Sequence, residues 1–155
     1  MSEDLRALES WAGALLAKLQ PAQRRAINYK EAIDLRRSQA QRIQSQQAPD
    51  GAAYAGRKKR KELRGKSGRI KRQKAEMFSK IRTARYLKVK ASGDQLEVGF
   101  VSRVARVARV HQFGEDDRVS PRGPTYSYPA RPLLGFSEAD RALVRDSLLK
   151  HLAAA

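Results

Sequence analysis

The sequence predicts an α+β chain: a small antiparallel sheet with two N-terminal helices, one internal helix and one C-terminal helix, plus a long basic loop or arm. Three observations predict it. Leucines recur at helical spacing near the start, two runs of alternating residues flank Ser92-Gly93-Asp94, and cations crowd the middle of the chain. With 155 residues, 41% hydrophobic and 32% charged, there is material for one domain over 1–155 with a modest core and with 52–74 inserted as the basic arm.

Ser2 can cap a first helix whose Leu5, Leu8, Leu15 and Leu19 share a face that Trp11 and Leu16 widen, ending near Gln20. Pro21 suits the first turn of a second helix, in which Ile27, Leu35 and Ile43 form a thin stripe that fades over 44–47. Pro49-Asp50-Gly51 is the expected stop. A short helix over 69–81, with Ile70, Met77, Phe78 and Ile81, is expected to return the chain to the core. Alternation over 83–91 and again at Leu96, Val98 and Phe100 predicts a hairpin.

The triplets Arg103-Val104-Ala105, Arg106-Val107-Ala108 and Arg109-Val110-His111 predict the internal helix, and period three drifts about 60° per triplet, so arginines and valines form adjacent slanted stripes. Gly114 can take the positive φ that ends a helix. Residues 115–127 read as a loop, acidic at Glu115-Asp116-Asp117, and 126–131 as a short extended segment beside the hairpin. The sheet would then hold three or four strands. Pro129 and Pro132 remove two backbone donors and confine their segment to a sheet edge or to an extended path outside a sheet. Ser137 caps the last helix, 138–152, which buries Leu143, Val144 and Leu148, flanked by Leu149 and Leu152.

The net charge of +17 is unevenly placed. Residues 1–56 carry 8 basic and 6 acidic side chains, 57–90 carry 16 and 2, and 91–155 carry 9 and 8. Arg57, Lys58, Lys59, Arg60, Lys61, Arg64, Lys66, Arg69, Lys71, Arg72 and Lys74 form the arm. So dense a run of like charges, with little apolar surface to offset ordering, predicts a mobile loop in the free protein. It is a solvated loop, a salt-sensitive nucleic-acid contact without base stacking, because no aromatic residue interleaves with it, or an arm that orders on an acidic protein surface.

No cysteine is present, so there is no disulfide framework and no thiolate chemistry. The acidic opening Met1-Ser2-Glu3-Asp4 and the absence of any run of roughly 20 apolar residues argue against a signal peptide and a membrane span, hence for an intracellular soluble protein or one assembled inside a cell. His111 and His151 lie on different elements without paired carboxylates, so neither an enzyme nor a metal or cofactor site is expected. His111 is instead expected to donate a ring hydrogen bond that ties a helix end to nearby backbone, with Phe113 filling the core beneath it. Arg131, between Pro129 and Pro132, is either an exposed charge or a guanidinium held for a carboxylate across an interface. The stripe Arg103, Arg106, Arg109 is either a solvated face or the partner of a neighbouring copy's Glu115, Asp116 and Asp117.

His111-Gln112-Phe113-Gly114, followed by Pro129-Ala130-Arg131-Pro132-Leu133-Leu134-Gly135-Phe136-Ser137 and then Asp140, resembles the C-terminal signature of the phage virion morphogenesis family, the tail completion or tail terminator proteins of contractile-tailed phages. Gln20-Pro21-Ala22, Leu35-Arg36-Arg37-Ser38, Arg42-Ile43 and Gln47-Ala48-Pro49-Asp50-Gly51 are similar to the same family, so the resemblance spans nearly the whole chain. It implies a non-enzymatic virion protein at the head-proximal end of the tail, assembled in the host cytoplasm. There a hexameric ring would cap the tail tube, and the sheath with it, and enable joining to the head connector. Non-specific contact with DNA in transit belongs to the same implication. The competing reading is a small nucleic-acid-binding protein that uses 57–90 as its footprint.

Overall fold

A computed structural model describes residues 2–57 and 76–154. Helices α1 (Ser2–Lys18) and α2 (Pro21–Gln44) are followed by strands β1 (Leu87–Ala91) and β2 (Leu96–Phe100), helix α3 (Arg103–Phe113), strands β3 (Asp116–Arg118) and β4 (Thr125–Ser127), and helix α4 (Glu138–Ala153). The α+β class stands. The single sheet of three or four strands is replaced by two separate two-stranded sheets, β1-β2 and β3-β4.

The β1-β2 hairpin forms because alternation is backed by turn chemistry. The hydroxyl of Ser92 accepts the amides of Asp94 at 3.3 Å and Gln95 at 3.2 Å, and the Ser92 amide donates to the Gln95 carbonyl at 2.8 Å. A bond from the Val101 amide to the Tyr86 carbonyl at 3.0 Å continues the same register beyond the strands. In the second sheet Asp116 pairs with Ser127, Asp117 with Tyr126 and Arg118 with Thr125. The acidic stretch expected to be loop is therefore a strand, and 126–127 extend beside it rather than beside the hairpin. Asp-Asp-Arg has poor strand propensity, and the ion pairs described below offset its charge.

Helix α2 ends at Gln44, before the expected stop. Gln46 takes φ 58°, and the Gln47 amide reaches back to the Arg42 carbonyl at 3.2 Å, which closes the helix in the left-handed manner usually left to glycine. Pro49-Asp50-Gly51 makes the turn that follows, with Ala48 and Ala52 hydrogen-bonded across it at 2.8 Å. The described part of the expected 69–81 helix, from 76 on, consists of turns, and 69–75 lie outside the described residues.

The chain forms two compact units: 1–36, 89–98 and 138–155 in the first, 37–88 and 99–137 in the second. The first buries Ala32 and Leu35 from α2 together with two acids, Glu31 and Asp140. Glu31 accepts the hydroxyl of Ser147, which ties α2 to α4. Leu149, expected to flank the buried face of α4, is 43% exposed. The second unit has a core of Ile43, Ala48, Tyr54, Ala108 and Leu133, against which Met77, Phe78, Ile81 and Phe100 pack. Among the described residues, no helix is long and apolar enough to cross a membrane.

Candidate interaction site at the root of the basic segment

The second unit is threaded by a strap, residues 131–135, that belongs to neither sheet. Its backbone groups still need partners, and side chains supply them. Gln112, on the last turn of α3, accepts the amides of Leu133 at 2.8 Å and Leu134 at 3.0 Å and donates to the Leu134 carbonyl at 2.9 Å. Gln39 of α2 donates to the Gly135 carbonyl at 2.9 Å and accepts its amide at 3.3 Å. Arg42 donates to the Leu133 carbonyl at 2.9 Å. A primary amide carries one donor and one acceptor face, so it can pair with extended backbone as a neighbouring strand would. Leu133 is fully buried as a result, while the prolines on either side of Arg131 have no amide to satisfy.

Two glycines make the path possible. Gly114 ends α3 at φ 68°, with its amide on the Val110 carbonyl, and a Cβ there would lie 2.9 Å from the Ala130 nitrogen. At Gly135 a Cβ would meet Pro49 Cγ at 2.7 Å. Both glycines are conditions for close approach rather than for flexibility.

Arg131 is not exposed: only 4% of it is accessible. All three guanidinium nitrogens are engaged within the chain. Nε donates to the Ala55 carbonyl at 2.7 Å, Nη2 to the Gly56 carbonyl at 3.0 Å, and Nη1 to His111 Nδ1 at 3.2 Å. The Arg131 amide also donates to the His111 carbonyl at 2.6 Å. A guanidinium can only donate, so His111 Nδ1 accepts and the ring is neutral, with its proton on Nε2. This reverses the expected role, since the ring was to be the donor. The cause is electrostatic: desolvation by burial, then the Arg131 charge, lowers the His111 pKa to about 4. Burial also draws the Arg131 pKa below its usual value.

Around this pair runs a chain of edge-to-face rings. Tyr54 and Phe78 have centroids 5.8 Å apart, Phe78 and His111 4.9 Å, His111 and Tyr128 5.0 Å, and Tyr128 and Tyr126 4.8 Å. The Tyr54 hydroxyl donates to the Pro132 carbonyl at 3.1 Å, and burial raises its pKa to about 12, so it stays protonated to do so. Phe113 is not in this core but 68% exposed; Phe78, from the other side of the basic segment, takes the place expected for it.

The expected cationic residues divide accordingly. Arg57 is at the edge of the described structure, directly after the clamped Gly56, whereas Lys58, Lys59, Arg60, Lys61, Arg64, Lys66, Arg69, Lys71, Arg72 and Lys74 lie outside the described residues. On α3, Arg106 pairs with Asp117 at 2.5 Å and Arg109 with Glu115 at 3.2 Å, both within the chain. Arg103 and Asp116 are exposed. Leu134 and Pro132 sit on the strap, both engaged through their backbone. Gln39, Gln46 and Tyr54 were not singled out by sequence, Phe78 was expected only as a core residue, and Arg42 entered only through the family resemblance. A usable signal existed in the glutamines of 39–47, neutral amides gathered at a helix end where a solvated helix would carry charge.

The model of the phage virion morphogenesis family matches residues 3–153. The chain is 40% identical over 139 residues to Tail completion protein S of Escherichia phage P2, covering 89% of this chain and 90% of that protein. No solved structure matches. With nearly its whole length covered by that family model, this chain belongs to the phage virion morphogenesis family.

Proposed function

We propose that this protein completes the phage tail as a structural component of the virion, without turnover of any substrate. The observation that carries the reading is its 40% identity, over 89% of the chain, to a tail completion protein. In this reading identical copies close into a hexameric ring on the head-proximal end of the tail tube, in contact with tube and sheath. The ring stops polymerisation by burying the adhesive repeating end, and presents its other face to the head connector. Assembly takes place in the host cytoplasm. Large apolar side chains left at the surface, Phe113 at 68% and Phe136 at 60% exposure, support burial against other copies or tail proteins.

The basic segment 57–74 docks on an acidic protein surface of the tail. It contains no aromatic residue, so base stacking does not favour nucleic acid, although phosphate contact with DNA in transit remains open to the same cations. The test is electron microscopy of tails made without the protein. Overlong or headless tails support the reading, and tails of normal length that join heads overturn it. Deleting 57–74 tests the segment: normal completed tails would remove its docking role. Gel filtration with light scattering separates the ring from the alternative, a monomer that binds short duplex DNA with a steep salt dependence.

A further inference from the structure

Helix α2 begins against its own electrostatics. A helix N-terminus is the positive end of the dipole and favours acids, yet the first turn of α2 carries none, and Arg24 and Arg25 stand at that end instead. Arg24 is poorly answered within the first unit. Its Nε is buried without a hydrogen-bond acceptor among the described residues, and its Nη1 lies 3.7 Å from Oδ1 of Asp94, too far for a hydrogen bond, with that carboxylate 86% exposed. A guanidinium desolvated at one nitrogen and weakly countered at another gains from any further acceptor.

Arg24 and Arg25 line a groove of about 930 Å³, open to solvent, between α2 and the turn of the β1-β2 hairpin. Ala22, Ala26, Tyr29 and Ala91 complete walls that are mainly apolar, and Tyr29 is 53% exposed. The walls are held in place. The Asn28 side chain donates to the Ser92 carbonyl at 2.8 Å, and Gly93 lies so near the start of α2 that a Cβ there would touch the Pro21 carbonyl oxygen at 3.7 Å.

We propose that this groove receives a segment of an acidic partner protein, one of whose carboxylates meets the terminal nitrogens of Arg24 while its aliphatic side chains cover Ala22, Ala26 and Tyr29. Charge and polarity decide the occupant. With 33 basic against 16 acidic side chains, a second copy of the chain would bring mostly like charge to these arginines. A nucleic acid would answer the arginines but set sugar and phosphate against the apolar walls. An acidic, aliphatic peptide satisfies both, and its carboxylate would also offset the dipole of α2. The inference goes beyond the tail-completion reading, since the groove belongs to the first unit and the strap to the second.

The test is a nuclear magnetic resonance titration of the isotope-labelled full-length protein, read at the Arg24 Nε–H and at the amides of Ala26 and Tyr29. The probes are a pentapeptide alternating leucine and glutamate, its counterpart with glutamine for glutamate, inorganic phosphate and a short DNA duplex. The glutamate peptide should shift these resonances saturably, and the glutamine peptide should bind roughly tenfold more weakly, as the loss of a charge-assisted hydrogen bond implies. Arg24→Gln should abolish the response. Ala26→Phe, at an exposed position, fills the groove and should leave the Arg24 signal in place but unresponsive, so it decides alone should Arg24→Gln fail to fold. No saturable shift with the glutamate peptide, an equal response to the glutamine peptide, or an unimpaired response in Ala26→Phe overturns the proposal. So does a response to phosphate or duplex as strong as that to the peptide, which would make the groove an anion or nucleic-acid contact. A change of the Arg24 signal on dilution of the protein alone would assign the groove to a second copy and overturn it equally. The spectra are recorded on the isolated protein, so failure of the tail-completion reading would leave them unchanged.

Discussion

Two sets of arginines in the second unit look alike in sequence and behave in opposite ways. Arg131 is 4% exposed and binds two carbonyls and a neutral imidazole. The Arg106 and Arg109 side chains, on α3, are 74% and 70% exposed and bind the carboxylates of Asp117 and Glu115. The exposed pairs have the stronger Coulomb partners and the weaker stabilising effect, because water and salt screen them. The buried one has no carboxylate at all, yet its loss would take the donor from the half-buried His111 Nδ1 and release the Ala55 and Gly56 carbonyls together. What a charged residue contributes here is set by what would remain unpaired without it, rather than by the charge of its partner.

The largest expected effect tests that rule directly. Arg131→Met keeps much of the side-chain volume and removes all three donors, and should cost about 3 kcal/mol in urea unfolding. A loss below that of the exposed pairs would break the comparison. Gly114→Ala should follow at about 2 kcal/mol, since it forces a Cβ into the left-handed region and against the Ala130 backbone. The matched control is Gly13→Ala, where a Cβ meets nothing within 4 Å. That substitution should be neutral or mildly stabilising.

Acid sharpens the comparison from the other side. The folded pKa of His111, about 4, is below its usual 6.5, so between those values the unfolded chain binds the extra proton. The stabilisation from a neutral His111 is complete above about pH 6.5 and is lost as pH falls toward 4, where an imidazolium would face the Arg131 guanidinium. Unfolding free energies of the parent and of His111→Asn, taken from pH 7 to pH 4.5, should converge on acidification. Carboxylates titrate in both proteins, so the difference between them isolates the ring. Curves that stay parallel across this range would mean that the imidazole is not the acid-sensitive partner of Arg131.

How far the sequence revealed this site follows from what each signal encodes. Gly114 was legible because a helix pattern that stops at glycine implies a left-handed residue, and the hairpin was legible because alternation and turn chemistry agree. The order of the strap motif carried the family. Partners were not legible. Nothing local distinguishes an arginine aimed at Ala55 and Gly56 from one aimed at solvent, since those carbonyls arrive from over seventy residues away. Gln46 and Gln39 escaped for the same reason: an amide that replaces a strand neighbour has no period. The strand at 116–118 was hidden by its own charges, which favour a loop until Arg106 and Arg109 are brought over them.

The smallest expected effect concerns those same charges. Arg106→Ala should change stability by at most about 1 kcal/mol, and the change should shrink further in high salt. If α3 faces only solvent, that is the whole consequence, and tails completed by the variant are normal. If the stripe with Arg103 lies between copies of the chain, as the proposed ring allows, the same substitution leaves the unfolding curve nearly unmoved while weakening assembly, because an exposed pair becomes a desolvated one only when a neighbour covers it. Measuring the variant twice, once as isolated chains in denaturant and once by light scattering of the assembled protein, therefore turns a nearly silent mutation into a readout of which face meets a neighbour.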